Sequence, residues 1–274
     1  RARNLEEKSH RSVFSLIKHR YFFSDPVAIA AEVIDKLDES IKATPNDAEL
    51  KSSEVYTYFI MQRFDKVVEL AAWANEDDDD LVSHSRKYVD RINPQTEMLP
   101  SYELASLLRD VYQDKEGREA LVEKMVAYDA AKSNGISSPE VTEALVEAWN
   151  PMWDGKETKR VFSYNPTTQH LRIGGGNLQT LRSEGVWASG KSLLRFLSIR
   201  RLLILETDFS NLADVKDLPL RNMSIANTSI TDPAPLHEFP RLEWLDLHRG
   251  QFSEEELARL PKSIVVVYPE DNKE

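Results

Sequence analysis

Cysteine is absent from the 274 residues. That absence removes a disulfide framework, a thiol nucleophile, an iron–sulfur cluster and a cysteine-ligated zinc. Glycine is scarce, with nine residues, and up to Asn150 it occurs only at Gly117 and Gly135, so long stretches run without a breaker. No apolar run reaches the about 18 residues that a membrane-spanning helix needs, so no membrane insertion is expected. Basic residues are the minority, 35 Lys and Arg against 46 Asp and Glu, for a net charge of -11. Nucleic-acid binding needs a basic footprint and is not expected. The six histidines are scattered, and none forms an H-E-x-x-H or a histidine pair at helical spacing with a carboxylate. Neither a metal nor a cofactor is expected. No catalytic constellation is present, so the chain is not expected to be an enzyme.

The acidity is uneven. Up to Asn150 there are 19 basic and 29 acidic residues, whereas from Pro151 onward there are 16 and 17. The first half carries the charge and should be helical. The second half opens on Pro151, Trp153 and Gly155, and its apolar residues come in short pairs. The expected division is a basic N-terminal helix over 1–24, a helical domain over 25–155 and a β-containing domain over 156–274. The chain starts at Arg1 rather than methionine, which points to a fragment of a longer protein. The basic start, with Arg1, Arg3, Lys8, Arg11, Lys18 and Arg20, is an amphipathic helix or a juxtamembrane segment.

Ser24-Asp25-Pro26 is a helix start, a cap followed by Pro in the first turn. Val33, Ile34, Leu37 and Ile41 then recur at helical spacing. Pro45-Asn46-Asp47 stops that helix and caps the next, which carries Val55, Tyr58 and Phe59. Asp65 is expected to cap a third. Further helices are expected near 81–92, 102–112, 117–131 and 139–149. The run Asp77–Asp80 lacks the spacing and glycine of a calcium loop, and a solvated acidic loop is expected there. With Tyr58 and Phe64 on aromatic positions, Val67, Ala71 and Ala74 on small ones and Pro45 closing the preceding unit, residues 26–76 resemble the tetratricopeptide repeat, a helix–turn–helix unit. The repeat's Trp, Leu and Gly positions fall on Lys51, Glu54 and Val55, which depart from it.

The strongest signal starts at Leu202. Leu202, Ile204, Thr207 and Phe209 return as Met223, Ile225, Thr228 and Ile230, and again as Leu245, Leu247, Gly250 and Phe252. Pro219, Pro240 and Pro261 punctuate the same place in each unit. An earlier copy runs through Leu171, Ile173, Gly176 and Leu178, with an insertion after it. This array over 169–268 resembles a bacterial leucine-rich repeat. The resemblance implies short parallel strands, about five, whose Leu and Ile share a core no single unit could bury. Val161–Tyr164 and His170–Ile173 would form a hairpin capping the open end, where a bare edge would invite aggregation. The fold class expected is therefore α+β, a helical repeat-like domain followed by a short capped solenoid.

Two groups of site residues follow. Arg172, Leu203, Ser224 and Asp246 fall in one column of the repeat, with Trp244 and His248 on the same strand as Asp246. They are candidates for a partner-binding sheet face. Gly185 to Ser192 matches G-x-x-x-x-G-K-S, a phosphate-cradling loop, which makes Gly190, Lys191 and Ser192 candidate nucleotide ligands. Against that, the residues before it, Thr180–Glu184, are polar where a phosphate loop follows a buried strand.

The pairing of modules resembles the C-terminal extensions of large bacterial signalling proteins, including membrane-anchored Ser/Thr kinases. It implies a non-catalytic interaction, sensory or scaffold module that binds a protein or peptide. No kinase motif is present, so any catalytic domain would lie upstream. The alternative is a nucleotide-binding enzyme using the 185–192 loop. A homodimerisation element is a third reading. Both the bacterial cytoplasm and the extracytoplasmic side remain open.

Overall fold

The structure, a computed structural model, describes residues 20–73, 78–153, 159–185, 188–226 and 228–268. Most of the basic N-terminal segment, Ala74, Asp77 and the tail Glu270–Glu274 lie outside them. The fold is mixed α and β, with a helical part and a six-stranded, mostly parallel sheet. The chain divides into two compact units, Arg1–Ala148 with Glu184–Ser189, and Trp149–Ser183 with Gly190–Glu274.

In the first unit, helices α1 (Pro26–Ala43), α2 (Ala48–Ile60) and α3 (Phe64–Glu69) follow in sequence. The Asp25 side chain accepts from the Ala28 amide at 3.1 Å, and Asp47 accepts from Glu49 and Leu50. Each satisfies helix-end donors that would otherwise lack partners. Helix α1 buries Pro26, Ala30, Val33 and Leu37, a single stripe at helical spacing. Asp65 does not cap α3. The helix starts at Phe64, its cap position is Arg63 with no side-chain bond, and Asp65 pairs instead with Arg63. The helix also stops after six residues, short of Leu70 and Ala71. Its sharp entry uses Gln62 in a left-handed conformation, φ 58°.

Helices α4 (Asp79–Tyr88), α5 (Ser101–Asp114), α6 (Glu119–Lys132) and α7 (Pro139–Trp149) complete the unit. Helix α6 packs on α1, α2 and α5. It is buried from Leu121 to Tyr128 and again at Ala130, and takes Glu123 and Lys124 inside with it. A helix buried around most of its circumference is a core element. Of the described part of the acidic run, Asp78–Asp80, only Asp79 is exposed, so it is not the solvated loop expected. Asp78 is buried and accepts from the Ser52 hydroxyl at 2.6 Å, and Asp80 receives two bonds from Arg118.

In the second unit the strands are β1 (Val161–Asn165), β2 (His170–Gly174), β3 (Arg201–Leu205), β4 (Asn222–Ser224), β5 (Trp244–Asp246) and β6 (Val265–Val267). They lie in chain order. The β1–β2 pair is an antiparallel hairpin and all later pairs are parallel. Register pairs Leu171, Leu202, Met223, Leu245 and Val266 across five strands. The first four of these side chains are buried, because alternate residues of a strand point to opposite faces. Between strands the chain returns through short 3-10 turns, and through α8 (Glu254–Ala258) before β6. These returns bury Leu212, Val215, Leu218, Leu236 and Phe239 against the inner side chains. The Thr207 hydroxyl donates to the Leu178 carbonyl and accepts from the Phe209 amide. Thr228 does likewise with Ile225 and Ile230. Each Thr thus satisfies backbone groups where a strand turns into its return.

Candidate functional site

The outward face of the sheet is the complement of the buried ladder. Its central row runs Ser163, Arg172, Leu203, Ser224, Asp246 and Val267, one residue per strand in direct register. A second row runs Asn165, His170, Arg201, Asn222, Trp244 and Val265. The sequence-derived column of Arg172, Leu203, Ser224 and Asp246 is therefore brought together. Trp244 lies beside it and is 46% exposed, a large indole left in water. His248 follows two residues after the end of β5 at Asp246 and is exposed, its amide donating to Gln251 Oε1.

Charge is sorted along the face. Arg172 and Arg201 stand on adjacent strands, with His170 directly opposite Arg201 and two residues before Arg172, and no ion pair joins either arginine to another described residue. Burial, and then the two arginines, hold His170 below its ordinary pKa. The ring is thus disfavoured as a cation. Two strands away, Asp246 is half-buried and also unpaired, and burial pushes its carboxyl upward. Sequence inspection missed His170, Arg201 and Asn222. The register of the repeat, read one residue before each Leu or Met of the ladder, carries them. A shallow hollow of about 220 Å³ opens between Leu203, Asn222, Ser224 and Asp246.

The G-x-x-x-x-G-K-S segment has a different structure from a phosphate loop. No strand precedes it; residues 183–184 are irregular, and Val186 and Trp187 lie outside the described residues. The Gly190 and Lys191 amides donate to Ser183 Oγ, and the Ser192 amide donates to Asp217. The Ser192 hydroxyl is fully buried, donates to the Leu181 carbonyl and caps the turn at Leu194. The amides of residues 190–192 and the Ser192 hydroxyl are thus engaged inside the chain. Among the described residues no group of three His, Asp or Glu is placed to hold a metal ion, and no helix is long and apolar enough to cross a membrane.

No protein-family model, curated protein or solved structure matches the chain significantly. The residues of the face must therefore carry the functional reading themselves.

Proposed function

We propose that this chain is a non-catalytic protein- or peptide-binding module, whose sheet is a short leucine-rich repeat array and whose helices are tetratricopeptide-like hairpins. The observation that carries it is the sheet face. Unpaired cations at Arg172 and Arg201, an unpaired carboxylate at Asp246 and an exposed Trp244 lie in register on one surface. Unpaired charges sorted to opposite ends select a partner by orientation. An exposed Trp beside a small hollow is the kind of anchor that dominates interface energies. Parallel strands joined by short buried returns support the repeat reading. The alternative of a nucleotide-binding enzyme receives no such support, because the amides of 190–192 are spent on Ser183 and Asp217. The resemblance to extensions of bacterial signalling proteins supplies the context proposed, a scaffold or sensor within a longer chain.

The test is site-specific photo-crosslinking in cell extract. A crosslinker at Leu203 or Ser224 is expected to capture a discrete partner that Arg172→Glu abolishes. A crosslinker at His237, on a return turn, is the control. Equal capture from both positions, or capture indifferent to Arg172→Glu, would sink the reading.

A further inference from the structure

The helical unit carries a cleft that the sheet-face reading does not use. Its volume is about 660 Å³, within the range of small-molecule sites. One wall is the loop between α4 and α5. There the Asn93 amide donates to the Met98 carbonyl, the Glu97 amide to the Asn93 carbonyl, and the Leu99 amide to Gln62 Oε1. The other wall is the end of α6 and the turn into α7. The Gly135 amide closes onto the Ala130 carbonyl at 2.7 Å, and Ser138 Oγ caps Val141. Asn134 and Gly135 are both left-handed, at φ 60° and 83°. Both walls are pinned by their own hydrogen bonds, so the cleft is formed in advance of any ligand.

The lining is hydroxylic. Thr96, Ser101, Ser133, Ser137 and Ser138 face it, together with the carboxylate of Asp129. That carboxylate has one partner among the described residues, the Ser137 hydroxyl at 3.1 Å. A carboxylate offers about four acceptor sites, so most of its capacity is unfilled. Among the described residues no cation pairs with it: Lys132, one turn further along α6, reaches the cleft but makes no ion pair with it. Ile136, 48% exposed, supplies an apolar edge, and Met98, Leu99 and Pro100 an apolar patch on the facing wall.

We infer that this cleft binds a small organic ammonium compound that also carries hydroxyl groups, the amino sugars being the matching chemical class. The ligand's ammonium donates to Asp129, and its hydroxyls exchange hydrogen bonds with the serines. Each part answers an observation: the under-partnered carboxylate asks for a donor cation, and the ring of hydroxyls asks for a polyol. Lys132 at the edge repels a second positive charge, so a singly charged ligand is preferred over a polyamine. Burial that pushes the Asp129 carboxyl up to about 6 is consistent with a carboxylate waiting for its counter-ion.

The experiment is a titration of the whole chain with glucosamine, with glucose, and with Nα-acetyl-lysine amide as a cation without hydroxyls, followed by amide chemical shifts. Glucosamine is expected to move the Ser133, Ile136 and Ser137 amides with millimolar affinity, at least about 10-fold tighter than either comparison probe. Asp129→Asn keeps the acceptor for Ser137 and should fold. It is expected to remove the preference for glucosamine over glucose. Ser137→Ala is the second variant, expected to weaken glucosamine about 3- to 10-fold. The inference is overturned if glucose binds as well as glucosamine, if the lysine amide binds as tightly, if Asp129→Asn retains the preference, or if no probe moves these amides by about 50 mM.

Discussion

Ser189 gives both of its donors to one carboxylate, its amide to Glu123 Oε2 at 3.1 Å and its hydroxyl to Oε1 at 2.5 Å. Glu123 is fully buried on α6, and Ser189 is 8% exposed. A buried carboxylate must have its acceptors filled, and here a segment 66 residues away in sequence supplies them. Glu123→Ala is expected to destabilise the helical unit by about 2–3 kcal/mol, since it leaves two buried donors bare. It should also release the Ser189 amide to solvent exchange. Hydrogen exchange of that amide is the direct measurement, and unchanged protection would show that the clasp contributes nothing.

A second ionic contact should separate sharply from its exposed counterparts. Arg109 meets Glu147 through two bonds, Nε to Oε2 at 2.6 Å and Nη2 to Oε1 at 3.0 Å, and the Tyr112 hydroxyl donates to the same carboxylate. The Glu147 side chain is only 6% exposed, and the arginine 31%. Glu147→Ala is expected to cost about 2 kcal/mol. Lys36→Ala, which breaks an exposed pair with Glu32 on α1, should cost under about 0.5 kcal/mol. Urea denaturation of the two variants checks the ratio, and comparable losses would refute it.

Asp129 gives an acid-side signature of the opposite sign to an ion-paired carboxylate. Its folded pKa is raised from 3.8 to about 6 by burial, with Ser137 partly offsetting that rise. The native state therefore binds a proton that the unfolded chain has already lost. Its stabilising contribution is present below about pH 4 and is lost as pH rises through about 6. Asp129→Asn should flatten that dependence and be more stable by about 1–2 kcal/mol at pH 7.5, allowing for partial solvent screening. Thermal melts of both proteins from pH 4 to 8 measure this, and parallel profiles would contradict it. Lys132 is the other titratable group lining the cleft.

The Gly185–Ser192 segment yields a negative expectation. Calorimetric titration with ATP and magnesium should give no heat of binding for the wild type or for Lys191→Ala. A saturable signal lost in Lys191→Ala would restore the nucleotide reading.

What periodicity could reach was the ladder. Leu202, Met223 and Leu245 recur at nearly constant spacing, and the register follows that spacing without a slip, because a one-residue shift would turn every core side chain outward. Helix starts with a cap and a proline, such as Asp25-Pro26, were equally visible. Asp65 misled because it sits one residue inside its helix, where the neighbouring Arg63 takes its carboxylate. The helical cleft left no trace in the sequence. Its Asp129 and serines look like ordinary surface residues until two loop conformations bring them together.

Gly174 closes β2 on the outward side, opposite Leu205. A Cβ placed there would lie 2.1 Å from the Leu205 carbonyl oxygen, a backbone atom that no side-chain rotation can move aside. The following Gly175 sits at φ 110°, with the Arg160 backbone 2.9 Å from where its Cβ would be. This pair therefore sets a limit on drift. In a saturation mutagenesis of the whole chain read out on folded yield alone, Gly174 should tolerate no replacement while its exposed neighbour Arg172 tolerates nearly all. For folding, the residue that contributes no side chain to the face would then be the one whose identity is least negotiable.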